Sequence, residues 1–343
     1  MVKERLAAGA MRVWAGEGGA AGAVLRTALV PVEAGYRGVM RLRNAAFDRG
    51  WRASRHPGIP VVSVGNLTVG GTGKTPLTAW TARTLADAGR RPAVVLRGYG
   101  GDETREHAEL NPGVPVFPAP RRIKGAEAAR EADCDVVVVD DGFQHRMLAR
   151  DLDLVLIAAE QWAPRPRRLP AGRWREGLAA LTRADAVIVT RKTASDTAVE
   201  ACIEGIRRRV PHLPITVAAI RPGVLSPVGG GEPRPLETLA GSSVLGAAGL
   251  ADPAPFFGQL RAAGLAVEEV AFPDHHFYTA ADAQRLVEAA AGRPLLVTRK
   301  DAVKLRPLLP PGAGAWVVDL DVRFERGEEE IRFLLTALPE GTP

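Results

Sequence analysis

Residues 59–75 read IPVVSVGNLTVGGTGKT, and the order of residue types within them sets the fold. Ile59 to Val64 is a short, mostly apolar, β-branched run, the composition of a strand buried in a parallel sheet. Gly70, Gly71 and Gly73 crowd the following turn, and Lys74 and Thr75 close it. Beyond Pro76, the residues Leu77, Trp80, Thr84, Leu85 and Ala88 fall on one helical face. Glycines let backbone N–H groups converge on phosphate oxygens, and a helix N-terminus adds partial positive charge. Thr68, Val69, Gly70, Gly71, Thr72, Gly73, Lys74 and Thr75 are therefore the expected nucleotide-binding residues. In such a loop the lysine reaches the β- and γ-phosphates and the next hydroxyl ligates Mg²⁺. Those roles fall to Lys74 and Thr75. The strict pattern wants glycine where Thr68 stands. A plain glycine-rich turn with a surface lysine is the competing reading. The agreement of strand, glycines, Lys-Thr and helix in order and spacing argues against it.

The 343 residues suffice for two domains, and 46% hydrophobic with 24% charged residues suits a packed core. The net charge of +6 points to anionic partners, among which nucleotides, anionic lipids and nucleic acids all qualify. Cys134 and Cys202 stand in unrelated contexts without metal spacing, which fits a reducing compartment. No apolar run reaches the length of about 18 residues that a spanning helix needs. The opening segment MVKERLAAGAMRVWAG has Arg12 inside its short apolar run and no cleavage site, against a signal peptide.

Alternating strand and helix patterns predict an α/β fold: a phosphate-loop core with a mostly parallel sheet, plus a smaller second α/β domain. Residues 1–55 form a leading segment in which Leu25, Leu29, Val32, Tyr36, Val39, Met40, Phe47 and Trp51 recur near helical spacing. Arginines lie between them, from Arg26 to Arg55. This pattern suits either a helix lying in a membrane interface or a helix pair packed on the core with a solvated basic face. Pro31 and the glycines are expected to interrupt any long helix here. The core is expected over 56–220, with strands at Arg91–Leu96, Asp135–Asp141, Leu152–Ala158 and Ala186–Thr190. Glycine and proline cluster between Ile215 and Pro235, where the sequence predicts the boundary with a domain of 221–343. The final strand and helix of that domain are allowed to return to the core.

The run DVVVVDD, residues 135–141, places Asp140 and Asp141 at the end of an all-valine strand. Two adjacent carboxylates repel each other without a cation, and phosphate-loop enzymes use such an Asp to hold Mg²⁺. An Asp capping the next turn explains one of the pair but not both. The loop WAPRPRRLPAGRWRE, residues 162–176, sets five arginines beside Trp162 and Trp174, suiting contact with an anionic ligand or simple solvation. Asp274, His275 and His276 follow an apolar strand, and a carboxylate beside an imidazole is a route to a general base near neutral pH. No Asn-Lys-x-Asp element for guanine is present, and Val69 replaces the extra lysine of partitioning-type ATPases.

Taken together, VGNLTVGGTGKTP (64–76), RGYGG (97–101), DDGFQH (140–145), LPAGRWRE (169–176), FPDHHFYT (272–279) and TRKDAVKL (298–305) resemble the tetraacyldisaccharide 4'-kinase family of lipid A biosynthesis. The resemblance runs in order from about residue 40 to residue 325. It implies ATP- and Mg²⁺-dependent phosphorylation of the 4'-hydroxyl of an acylated disaccharide 1-phosphate. It further implies a peripheral enzyme on the cytoplasmic face of the inner membrane of a Gram-negative bacterium, its site in the cleft between the domains. No nucleic acid and no obligate protein partner are implied. By the resemblance, Lys74 and Thr75 keep their loop roles, and Asp140 and Asp141 organise Mg²⁺ and phosphate. Glu176 matches an acid near the metal, Gln144, His145 and Asp274 fall on the substrate side, and Asp102 with His275 forms the catalytic dyad. Two departures stand out: RGYGG and Gly-Asp-Glu are fused as RGYGGDE, and Arg299 replaces an acid. A kinase or ligase of a soluble metabolite, and a nucleotide-dependent switch gripping nucleic acid or a protein, are the alternative functions.

Overall fold

The computed structural model describes residues 9–10, 13–14, 19–98, 101–250, 252–274 and 276–339. The chain divides into two units, residues 13–219 with 322–343, and residues 1–12 with 220–321.

In the larger unit, helices α1 (Gly19–Ala28) and α2 (Val30–Asp48) precede β1 (Val61–Asn66) and α3 (Lys74–Asp87). Then come β2 (Pro92–Leu96), α4 (Asp102–Leu110), β3 (Val116–Pro118), α5 (Arg122–Glu131), β4 (Val136–Asp140), β5 (Leu152–Ala158), β6 (Ala186–Arg191) and α6 (Asp196–Arg207). The strand order is β6-β5-β1-β4-β2-β3, each neighbouring pair parallel. All residues of β1, β2, β4 and β5 are buried, which is why those strands read as continuous apolar runs rather than alternating ones. The expected parallel α/β sheet is what forms. β1 pairs with β4 on one side and β5 on the other, so the chain reverses its direction of travel across the sheet there. The loop after β1 and the end of β4 therefore open at a switch point, where α/β sheets bind ligands.

The smaller unit carries the later part of β7 (Ile215–Pro227), β8 (Arg234–Pro235), β9 (Ser243–Ala248), α7 (Ala254–Ala262), β10 (Ala266–Ala271), α8 (Ala280–Ala290), β11 (Leu295–Thr298), α9 (Arg299–Leu305) and most of β12 (Ala315–Arg326). Its parallel order is β10-β9-β11-β12. Side chains alternate across this sheet. Leu245, Leu295 and Val297 join one core with Leu286 and Ala302, while Val244 and Leu296 join another with Phe256 and Phe257. The end of β12 and α10 (Glu328–Thr336) belong to the larger unit, where Phe324 lies 4.7 Å from Trp80 and Arg332 stacks on the same ring at 5.3 Å.

Three expected features take a definite form. Residues 215–235, where the domain boundary is expected, are mostly strand. Residues 215–219 pair with β6, and residues 224–225 pair with β8. The leading helical stretch is interrupted at Leu29, just before Pro31, but Gly35 and Gly38 do not break α2, which runs for 19 residues. Pro31 stands in the first turn, where an N–H has no helical partner anyway. Gly35 and Gly38 each cost about 1 kcal/mol relative to alanine, and side-chain anchors at both ends of the helix offset that. In the loop of residues 162–176, Trp174 turns inward. It is buried in the core with Phe143 and Leu181, and Trp162 packs on it edge-on at 6.4 Å.

Candidate active site

The glycine-rich turn is held from two directions. Gly73 caps α3 at φ 86°, a left-handed conformation that favours glycine, and Gly70 sits at φ 120°. From β6, the Thr190 hydroxyl donates to the Thr72 carbonyl at 2.9 Å, and Lys192 Nζ, just past the strand, donates to the Gly71 carbonyl at 3.1 Å. From the 162–176 loop, Arg173 accepts the Val69 N–H at 2.8 Å. Asn66 donates to the buried Thr72 hydroxyl at 2.8 Å. Thr68 is also buried, bonds to Gln161 at 3.0 Å and bridges to Trp174. Thr68 is absent from the positive-φ residues, so this position does not demand the glycine of the strict pattern. The Thr68 and Thr72 side chains serve the loop itself, leaving its backbone, Lys74 and Thr75 for a ligand.

Asp141 meets the loop here. Lys74 Nζ lies 3.6 Å from Asp141 Oδ1, and Arg175 Nη1 donates to both Asp141 oxygens at 2.8 and 2.9 Å. Burial works to raise the Asp141 carboxyl, but the charges of Lys74 and Arg175 overcome it and hold it below the usual carboxylate range. Asp141 also sits at φ 55°, one of the three described non-glycine residues with positive φ. Such strain persists where the surroundings over-determine it, often at functional positions. Gln144 joins the cluster, donating to the Asn66 carbonyl at 2.8 Å and accepting from Arg175 at 3.2 Å.

Asp140 is held by a residue the sequence reading missed. His107 on α4, its side chain fully buried, places Nε2 3.0 Å from Asp140 Oδ2. Burial lowers the pKa of His107, yet the hydrogen bond and charge of Asp140 outweigh it and leave it raised. The other oxygen, Asp140 Oδ1, is buried without a hydrogen-bond partner. A second missed residue is Arg122 at the start of α5, which is 3% exposed, donates to the Ala119 carbonyl at 3.0 Å and faces the charges of Asp140 and Asp141. His145 is pushed down to about 4 by burial and by Arg122, so it is neutral at physiological pH. The only sequence clue to His107 was its place one turn beyond Asp102. For Arg122 it was its place just after β3.

Glu176 takes a different part. Both oxygens accept from Arg183, at 3.1 and 3.0 Å, and Oε2 also accepts from Asn44 of α2 at 2.8 Å. Glu176 thereby anchors α2, together with Tyr36, which donates to the Arg175 carbonyl at 3.1 Å, and buried Glu33, which accepts the Arg168 N–H at 3.0 Å. Asp102 opens α4, five residues before His107. Asp274 belongs to the smaller unit and pairs with Lys300 at 2.9 Å. His275 lies outside the described residues, so the Asp102–His275 dyad has no described geometry. Among the described residues, no three His, Cys, Asp or Glu side chains come together as a metal cluster.

Comparison with known proteins bears on this site. A family profile described as Tetraacyldisaccharide-1-P 4'-kinase matches residues 25–339. The tetraacyldisaccharide 4'-kinase of Xanthomonas oryzae pv. oryzae (strain PXO99A) is 36% identical over 315 residues, spanning 87% of this chain and 86% of its own. That of Anaeromyxobacter dehalogenans (strain 2CP-1 / ATCC BAA-258) is 37% identical over 358 residues, spanning 94% and 93%. Among solved structures, an "apo" form of LpxK from Aquifex aeolicus in complex with ATP superposes with a TM-score of 0.72 at 29% identity, covering 91% of this chain and 98% of that one.

Proposed function

Because this chain belongs to the tetraacyldisaccharide-1-phosphate 4'-kinase family, we propose that Thr68–Thr75 grip the triphosphate of ATP during its reaction. That reaction is ATP-dependent phosphorylation of the 4'-hydroxyl of a tetraacyldisaccharide 1-phosphate. Lys74 stabilises negative charge on the transferring phosphoryl group, and the loop's N–H groups hold the phosphates behind it. The observation that carries this reading is the convergence of Lys74, Asp141 and Arg175 at the switch point, beside an Asp140 oxygen with no protein partner.

Mg²⁺ suits the donors present. Hard cations prefer hydroxyl and carboxylate oxygens and keep several waters, so one or two protein ligands suffice. Thr75 and Asp140, with Asp141 behind them, would hold it, and Asp140 Oδ1 is the oxygen left for that purpose. When bound, Mg²⁺ supplies positive charge to the β- and γ-phosphate oxygens. Glu176 falls outside this set because its oxygens are already bonded to Arg183 and Asn44. Asp102, acting with His275, takes the proton from the sugar hydroxyl.

We further propose a peripheral place on the cytoplasmic face of the inner membrane. No helix among the described residues is long and apolar enough to cross a membrane. Instead α1 and α2 expose Val24, Leu25, Val32, Val39 and Leu42 among their arginines, with Trp51 exposed just beyond. Apolar side chains set beside cationic ones suit an interfacial helix. The decisive assay is transfer of labelled γ-phosphate from ATP to the acylated disaccharide 1-phosphate in mixed micelles. Transfer only to a water-soluble acceptor, or none with tight nucleic-acid binding, would overturn the reading.

A further inference from the structure

Every carbonyl of the glycine-rich turn from Gly70 to Gly73 already accepts a hydrogen bond. The Gly70 carbonyl accepts the Thr72 N–H at 3.0 Å, and the Gly73 carbonyl accepts the Leu77 N–H at 3.1 Å. The Thr190 hydroxyl donates to the Thr72 carbonyl at 2.9 Å, and Lys192 Nζ donates to the Gly71 carbonyl at 3.1 Å. A trans peptide points its N–H opposite to its C=O. Fixing these carbonyls therefore fixes the N–H groups of Gly71, Gly73 and Lys74, and a phosphate grip needs such groups to converge.

Among those four donors Lys192 alone is cationic. Its ammonium lies so near that a Cβ on Gly71 would sit 3.4 Å from Nζ. Gly71 is exposed, so this charge stands at the open rim of the turn, apart from Lys74, which pairs with Asp141. A charge-assisted hydrogen bond is about twice as strong as a neutral one. The other cation at this strand end, Arg191, is spent on Glu325 and Asp196.

Lys192 is itself held. Glu160, in the short turn Ala159–Gln161 after β5, accepts three consecutive N–H groups with one oxygen. They belong to Lys192 at 2.6 Å, Thr193 at 2.9 Å and Ala194 at 3.0 Å. A carboxylate bonded to three backbone donors fixes the backbone from which the lysine side chain springs. The neighbouring Gln161 bonds Thr68 at 3.0 Å, so the same turn also touches the start of the loop.

We propose that Lys192 is a positioning residue for ATP, fixing the Gly71 peptide and adding a second ammonium beside the triphosphate, with Glu160 as the clamp that aims it. The inference rests on the reading of Thr68–Thr75 as the triphosphate grip.

The test measures ATP affinity by displacement of a fluorescent ATP analogue, in wild type, Lys192→Met, Lys192→Arg and Glu160→Gln. KM for ATP and for the acylated disaccharide 1-phosphate is read alongside. Lys192→Met keeps an unbranched stem and loses the charge, so ATP binding should weaken about tenfold. KM for ATP should rise with it, while KM for the lipid and the nucleotide-free Tm stay as in wild type. Added salt should weaken ATP binding less steeply in that variant, because one screened attraction is gone. Lys192→Arg should recover part of the affinity and of the salt dependence, and Glu160→Gln should lose about threefold in affinity. Unchanged ATP affinity in Lys192→Met would overturn the proposal. So would an equal loss in Lys192→Met and Lys192→Arg with a lower Tm in both, since the side chain would then only pack. Should Lys192→Met not fold, Glu160→Gln decides, and wild-type affinity there overturns the proposal. If the variants behave as stated but no lipid is phosphorylated by wild type, the kinase reading fails and the positioning role stands. If wild type phosphorylates the lipid and its ATP affinity is indifferent to Lys192, the kinase reading stands and the positioning role fails.

Discussion

Each unit of the molecule has an aspartate pair with a histidine, and the two groups are built on opposite terms. In the smaller unit Asp301 is fully buried and accepts from the Gly249 N–H at 2.9 Å, the Thr298 hydroxyl at 2.6 Å and Tyr278 at 3.0 Å. Asp282 accepts from the N–H and hydroxyl of Thr279, from Arg285 and, at 3.2 Å, from His276. The Thr279 bonds foremost, then those of His276 and Arg285, hold the Asp282 carboxyl below its usual range. In the larger unit Asp140 keeps one oxygen unpartnered and Asp141 is strained in the left-handed region. A saturated carboxylate is a structural joint. A carboxylate left short of donors, one residue from the aspartate that pairs with Lys74, is set up for a ligand.

The sharpest way to break this contrast is to remove charge from the unsaturated group. Lys74→Ala or Asp140→Asn should lower kcat by about 10²–10³-fold with Tm nearly unchanged, read by single-turnover phosphate transfer and thermal melting. Near-wild-type turnover in either variant would erase the distinction. The converse substitution belongs to the saturated group. Asp301→Ala strands three donors and should cost about 1–3 kcal/mol, seen as a lower denaturation midpoint with ATP affinity intact. A weakened ATP affinity at full stability would assign Asp301 to the wrong class.

His107→Leu sharpens the contrast further, because it frees Asp140 while preserving apolar packing. The loss of an orienting partner should reduce Mg²⁺-dependent turnover by about tenfold and weaken Mn²⁺ binding measured by paramagnetic resonance. His107→Gln, which keeps a donor, should recover part of both. Unchanged Mn²⁺ affinity in the leucine variant would reduce His107 to a packing residue. The smallest effect concerns pH. His145 titrates at about 4 in the fold against 6.5 ordinarily. Below pH 6.5 the unfolded chain takes up a proton that the native site refuses, so stability falls as pH drops from 6.5 towards 4. Tm should decline less steeply over that window in His145→Gln, and an unchanged slope would remove His145 from the account.

Much of the site was written in short segments. Gly70 to Thr75 shows itself because a phosphate grip needs consecutive backbone N–H groups, and consecutive groups are neighbours in sequence. Asp140 and Asp141 show themselves because a run of valines has to be a buried strand, and its end has to open at the sheet edge. His107 and Arg122 did not show, because each sits on a separate helix beside residues unrelated to its role. Nor did the sequence show that Asn44 and Arg183, far apart in the chain, bond the oxygens of Glu176.

Local order along the chain thus determined the parallel α/β class, the nucleotide turn and the acidic strand end, since backbone conformation and burial periodicity act over a few residues. Tertiary structure alone decided which carboxylates are satisfied and which are left short. It also turned the glycine- and proline-rich stretch after Ile215 into strand, and it brought Lys192 to the Gly71 carbonyl. Hydrogen-bond saturation and charge crowding depend on distances between side chains from different elements, and packing sets those distances.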